Sequence, residues 1–161
     1  MICSIFAWKF RSIQLYMVIA PQQLDDEVSF KLYTLNRLIQ QTYQAFLLPL
    51  NLTYPQYLVM KVLMEKDNVP VHVISSRLML ESNTVTPLLQ RMEKQGLLTR
   101  ALKCEDQRQR IISLTCQGKD MRHDIEQVSV LVASSLAEME MDCTLANGLG
   151  GLLSEFIKRI Q

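Results

Sequence analysis

The chain has 161 residues, of which 48% are hydrophobic and 20% charged, with a formal net charge of +1. That length and composition suit one domain, or one domain with a dimerisation arm, and exclude an intrinsically disordered chain. With so small a net charge, any surface for an acidic partner must come from local clustering of basic residues.

Met1 to Pro21 is rich in large apolar residues, but Lys9 and Arg11 interrupt the run. A spanning helix wants about twenty apolar residues with few charges, and a signal peptide carries its positive charges ahead of the apolar stretch. Residues 1–23 are therefore expected to be an extra helix or extension packed on the domain or on a partner subunit, without a membrane role. Asp25 or Asp26 can cap a long helix to about Leu47, with Val28, Leu32, Leu35, Leu38, Ile39, Tyr43, Phe46 and Leu47 at helical spacing. Pro49 ends it. Thr53 is a good N-cap, with Pro55 in the first turn of a helix running to about Glu65.

Pro70 starts a short helix with Val71, Ile74 and Leu78 inward. Ser82 is expected to cap the next, with Val85, Leu88, Leu89 and Met92 buried and Ser82, Asn83, Thr84, Thr86, Gln90, Arg91 and Lys94 left at its start or toward solvent. Gly96 stops it. Leu97–Arg100 and Ile111–Leu114 read as two strands of a hairpin, with the polar run Lys103–Arg110 as its tip. Thr115 and Gln117-Gly118 lead into a helical region through Leu136, and Asp142-Cys143-Thr144 introduces a last helix.

The middle of the chain thus reads helix, turn, polar-fronted helix, basic hairpin, which is the order of a winged helix-turn-helix. From Arg91 to Arg110 six basic residues (Arg91, Lys94, Arg100, Lys103, Arg108, Arg110) face three acids (Glu93, Glu105, Asp106). A helix fits the major groove with its N-terminal residues toward base edges, and an arginine suits the negative potential of a narrow minor groove. The DNA-binding candidates are Ser82, Asn83, Thr84, Thr86, Pro87, Gln90 and Arg91 on the helix, and Asp106, Arg108 and Arg110 on the hairpin, Asp106 placed to brace Arg108. Singly, each reads as a cap or a solvated face; together they point to double-stranded DNA. The fold class is mainly α with a small β-hairpin wing. The DNA-binding region is 51–116, and the helices of 24–50 and 117–161, with more apolar surface than a small winged helix covers, form a homodimer interface.

Cys3, Cys104, Cys116 and Cys143 form no C-x-x-C pair, and His72 and His123 are far apart in sequence. No metal site and no cofactor is expected, and the thiols read as reduced, in a cytoplasm. Cys116 is expected to be buried and inert. No catalytic triad, phosphate-cradling glycine loop or paired-carboxylate site is present in the sequence, so an enzyme is the weakest reading.

Four stretches carry a resemblance: Phe30-Lys31-Leu32-Tyr33; Leu52-Thr53-Tyr54-Pro55-Gln56-Tyr57-Leu58-Val59; Leu80 to Glu93; and Glu105-Asp106-Gln107-Arg108 followed by Ile112-Ser113-Leu114-Thr115. They resemble the MarR family of winged-helix transcription regulators, most closely its organic-hydroperoxide-sensing (OhrR-type) branch, from about Leu24 to Lys119. The resemblance implies a homodimeric repressor on a pseudo-palindromic promoter site, serving an oxidative stress response. It assigns the helix from Ser82 to the major groove and Arg108 to the minor groove. It also implies a reactive cysteine just before the F-x-L-Y run, ringed by tyrosines matching Tyr33, Tyr43 and Tyr54. Here that position is Ser29, and a serine hydroxyl has no thiolate and no sulfenic state. Whether Ser29 replaces a native cysteine or marks a natural loss of the sensor is open. So are two other inputs: redox chemistry at Cys104 or Cys143, and a small aromatic or phenolic inducer in a cleft lined by Tyr33, Tyr43, Tyr54 and Met60. A non-catalytic protein–protein adaptor is a further alternative, against which the basic wing speaks.

Overall fold

The computed structural model describes the backbone of residues 23–103, 106–138 and 143–160. Within those ranges the side chains of residues 26, 103, 106–108, 138, 143–147, 149, 156 and 160 lie outside the description, as does the whole expected extension of residues 1–22. The chain divides into two compact units, residues up to Arg37 and residues from Leu38 on.

In the first unit a single 3-10 turn, Leu24–Asp26, precedes the start of helix α1, Val28–Leu47, whose residues from Leu38 on belong to the second unit. The Glu27 carbonyl accepts the Lys31 N–H at 3.0 Å. Glu27 therefore holds the N-cap position expected of Asp25 or Asp26, which are taken up by the turn. The apolar spacing of α1 is as the sequence suggests, but its burial is not. Val28, Leu32, Tyr33 and Leu38 are exposed, and of the whole helix only Leu47 is fully buried.

The second unit holds the rest. Helix α2 spans Tyr54–Glu65. The Thr53 N–H and hydroxyl both donate to Gln56 Oε1, at 2.8 and 3.1 Å, which fixes the helix start. Gln56 is itself buried, and its Nε2 donates to Gln95 Oε1 at 2.9 Å, joining this start to the far end of a later helix. Strand β1, Val69–Pro70, leads into helix α3, Val71–Leu78, where Ile74 is fully buried. A turn through Met79, left-handed at φ 54°, brings the chain to helix α4, Ser82–Lys94. The N-cap of α4 is Glu81 rather than Ser82: the Glu81 carbonyl already accepts the N–H of Thr84 and Val85, so Ser82 is the first helical residue. Val85, Leu88, Leu89 and Met92 are buried, as their spacing requires. Gly96, at φ +75°, ends α4 with a paired closure. Its N–H reaches the Glu93 carbonyl, and that of Leu97 reaches Met92.

The wing is longer than expected. Strands β2, Leu98–Lys103, and β3, Asp106–Leu114, are antiparallel, and β1 pairs on the other edge of β3, giving the order β1-β3-β2. The run Lys103–Arg110 is thus not a loop, because most of it lies within strands. One step along β2, from Leu102 to Lys103, corresponds to the stretch from Arg110 to Asp106 on β3, so Gln107, Arg108 and Gln109 bulge out of register.

Helix α5, Cys116–Asp120, follows at once, and its packing is tight. Thr115 donates its hydroxyl to the Gly96 carbonyl at 2.6 Å and accepts the Gly118 N–H at 3.1 Å. A Cβ on Gly118 would lie 2.1 Å from the Leu97 carbonyl oxygen. Cys116 is exposed, contrary to expectation: it is the first residue of a short helix whose buried position is Gly118. Helices α6, Arg122–Glu138, and α7, Cys143–Ile160, complete the chain.

The core joins Leu47, Tyr57, Met60, Leu63, Ile74, Leu89, Met92, Leu98 and Ile112 to Ile125, Val128 and Val132 of α6. Burial of each large side chain contributes roughly 1.5–3 kcal/mol. The first turns of α6 therefore share one core with α2, α3 and α4. Among the described residues, no helix is long and apolar enough to cross a membrane.

Candidate nucleic-acid interface

The four buried positions of α4 turn the opposite face outward. Ser82, Asn83, Thr84, Thr86, Pro87, Gln90, Arg91 and Lys94 are all exposed, on one continuous strip. Several polar groups at its front are engaged locally. Asn83 Nδ2 donates to Glu81 at 3.0 Å, the Thr84 hydroxyl donates to Asn83 Oδ1 at 3.2 Å, and the Thr86 hydroxyl donates to the Ser82 carbonyl at 2.7 Å. Pro87 brings no N–H, so the Asn83 carbonyl lacks its usual partner four residues on. Among the described residues, the side chains of Gln90, Arg91 and Lys94 make no hydrogen bond or ion pair, and they are the long side chains left to reach outward.

Not every cation of the basic cluster is available. Arg100 Nε donates to Glu93 at 2.7 Å, with its Nη2 at 2.6 Å, and the Arg100 side chain is 15% exposed. This bond holds the Glu93 carboxyl below the usual range, against the partial burial that pushes it up. Arg100 therefore ties the wing base to α4 and is lost to any partner. The side chains of Lys103, Asp106 and Arg108, and all of Cys104 and Glu105, lie outside the described residues, so the expected Asp106–Arg108 brace does too.

Pro70 of β1 is in register with Ile111 of β3, which sets the start of α3 beside Gln109 and Arg110. A cleft of about 320 Å³ results, lined by Pro70, His72, Ser82, Thr86, Gln109 and Arg110. His72 was not among the sequence candidates; only the β1–β3 pairing, carried by a two-residue strand, brings it there. A second cleft, of about 470 Å³, is lined by Gln44, Leu48, Gln56, Arg91, Lys94 and others where α1, α2 and α4 end or begin.

The expected sensor residues fall in different units. Ser29 is exposed in the first, its hydroxyl donating to Glu27 Oε2 at 3.3 Å, and Tyr33 is exposed there as well. In the second unit Tyr43 and Tyr54 pack with ring centroids 4.8 Å apart, and Tyr57, missed from sequence, completes a trio at 5.4 and 6.1 Å. The three-residue spacing of Tyr54 and Tyr57 on one helix was the available signal. Tyr57 Oη lies 2.7 Å from Ser129 Oγ of α6. Met60, expected to line a ligand cleft, is fully buried in the core. Burial, followed by the neighbouring rings of Tyr57 and Tyr54, pushes the Tyr43 hydroxyl up to about 12; burial and then Tyr57 push Tyr54 up as well. Both phenols remain protonated donors at neutral pH. Because the folded value is raised, the stability they contribute is fully present below about pH 10 and is lost as pH rises toward about 12. An alkaline spectrophotometric titration should show late-ionising phenols, the latest of which is lost in Tyr43→Phe; tyrosines all ionising at the ordinary value would contradict the packed trio.

Residues 41–125 match the family model of the transcriptional regulator SarA/Rot, more than half of the chain. The chain belongs to the SarA/Rot family of transcriptional regulators. It is 43% identical over 96 residues to the organic hydroperoxide resistance transcriptional regulator of Bacillus subtilis, covering 60% of this chain and 65% of that protein, just under two thirds of its length. It is 36% identical over 121 residues to the regulator MgrA of Staphylococcus aureus, covering 73% of this chain and 82% of that protein. The structure of reduced AbfR bound to DNA, a protein of Staphylococcus epidermidis, matches with TM-score 0.68 and 31% identity over 85% of this chain and 94% of that one. The same protein has been solved overoxidized on DNA and with a disulfide formed. This chain is accordingly a winged-helix transcription regulator of the SarA/Rot type. The winged helix and its antiparallel wing are those that the sequence suggests.

Proposed function

We propose that this regulator is a homodimeric repressor that grips a pseudo-palindromic promoter site in duplex DNA and is blind to hydroperoxide at Ser29. The observation that carries the DNA contact is the outward strip of α4, with Gln90, Arg91 and Lys94 unengaged, beside a wing that bulges at Arg108. The α4 front enters the major groove, with Ser82, Asn83, Thr84, Thr86 and Pro87 meeting base edges or phosphate. Arg108, with Arg110 behind it and Asp106 nearby on the same strand, reaches the minor groove. The exposed apolar residues of α1, and Leu152 and Ile157 of α7, support a second copy as their cover.

Relatives bear redox descriptions: the Bacillus protein is named for organic hydroperoxide resistance, and AbfR has reduced and oxidised forms. In this chain the matching position carries oxygen. Sulfur chemistry at Cys104 or Cys143 is the secondary input, since AbfR also forms a disulfide.

Arg108→Ala tests the wing. It should weaken duplex binding and lower the dependence of log affinity on log salt by about 0.9 per subunit, as one fewer counterion is released. Fluorescence anisotropy across a salt series measures both. An unchanged slope would remove Arg108 from the interface.

A further inference from the structure

We propose that the cleft between α3, α4 and β3 seats a phosphodiester of the DNA backbone between His72 and Arg110, and that protonation of His72 tightens the grip as pH falls. This rests on the DNA-binding reading and adds to it a regulation that the reading lacks.

The placement follows from the sheet. Pro70 pairs with Ile111, so the second residue of α3 and the residue before Ile111 line the same cleft. The first turn of α4 closes it with Ser82 and Thr86. The lining therefore offers an imidazole, a guanidinium, an amide and two hydroxyls and, among the described residues, no carboxylate. That is a donor set for an anion, on the surface that also carries the α4 strip. The Thr86 hydroxyl is turned to the Ser82 carbonyl, which leaves the Ser82 hydroxyl, His72, Gln109 and Arg110 as donors. A volume of about 320 Å³ is ample for a phosphate group.

Few other charges face the imidazole. On α4, Glu93 senses Arg110 but is held by Arg100, and Glu81, just ahead of the helix, accepts from Asn83. On α3 itself, Arg77 is paired with Glu65 of α2. Val69 and Pro70 of β1 carry no charge. Among the described residues, a proton gained by His72 thus adds a positive charge that no neighbouring carboxylate cancels. Since a bound phosphate favours the protonated ring, affinity rises as pH falls. The chain contains two histidines, and the other, His123, sits near the start of α6 rather than in this cleft.

The test uses the full chain and the duplex it selects from a randomised library, with affinity measured across a salt series at about pH 8 and about pH 6. The log–log salt slope should steepen by about 0.9 per subunit at the lower pH, as one more phosphate contact is made per cleft. His72→Gln should abolish that change while leaving the slope found at high pH. His72→Arg, with a fixed charge, should hold the steeper slope at both. His123→Gln should behave as the parent. A parent slope that does not move with pH, or a change that survives His72→Gln, would overturn the proposal while leaving the DNA-binding reading in place. Failure to select any duplex would overturn both.

Discussion

Gly118→Ala should destabilise the fold by about 3 kcal/mol, at the upper end for forcing an extra methyl into a packed site. The reason is local and backbone-to-backbone. The new Cβ would meet the Leu97 carbonyl oxygen at 2.1 Å, and no side chain can move aside to relieve it. Leu97 cannot shift freely either. Its carbonyl accepts the Thr115 N–H at 3.1 Å, and its own N–H closes α4 on Met92. Moving α5 away would break the Thr115 hydroxyl's link to Gly96. The wing base, the end of α4 and the start of α5 would all be disturbed together. A melting point lower by roughly 10 °C is the expected reading in a thermal scan. Gly150→Ala in α7 is the control, since nothing lies within 4 Å of its added Cβ. It should be neutral or stabilising by about 0.5–1 kcal/mol, the ordinary helical gain. Equal effects at the two glycines would mean the α4–α5 junction is looser than described.

Ser29→Cys should convert the regulator from peroxide-blind to peroxide-responsive. A cysteine thiolate there would attack the O–O bond of cumene hydroperoxide, forming sulfenic acid and releasing the alcohol. Residue 29 lies in the first turn of α1, where the helix end favours a thiolate. Glu27, whose carboxylate lies 3.3 Å from the present hydroxyl, opposes it. Glu27→Gln combined with Ser29→Cys should therefore react faster than Ser29→Cys alone. Trapping of the sulfenic acid, read by mass, reports the chemistry. A loss of duplex affinity of roughly tenfold or more on oxidation reports the coupling. Oxidation without loss of DNA binding would mean that the site no longer communicates with α4. Rapid peroxide release of DNA from the parent chain, surviving replacement of Cys104 and Cys143, would contradict blindness at Ser29.

The elements legible in the sequence were those whose signal is local. The buried face of α4 follows from helical spacing, the Thr53–Pro55 start from capping chemistry, and the stop at Gly96 from its left-handed backbone. What escaped depends on partners distant in sequence. Strand β1 is two residues long and exists only because Val69 and Pro70 meet Ile112 and Ile111. Gly118 reads as a loose helix start until the Leu97 carbonyl is seen above it. Arg100 counts toward the local basic cluster in the sequence and proves to be held by Glu93. Tyr57 joins the ring trio and Met60 the core, because helix α2 is buried on nearly all sides and its periodicity does not say which ring meets α6. The outward strip of α4 was readable because exposure is the complement of a well-marked core. The cleft at His72 was not, because it is made by three elements none of which names it alone.

The central claim is that two copies of this chain grip one duplex. Sedimentation of the full chain with a labelled duplex selected from a randomised library, at low salt, tests it most directly. Two chains per duplex, dissociating steeply as salt is raised, is the predicted result. A lone monomer that retains no duplex would contradict it.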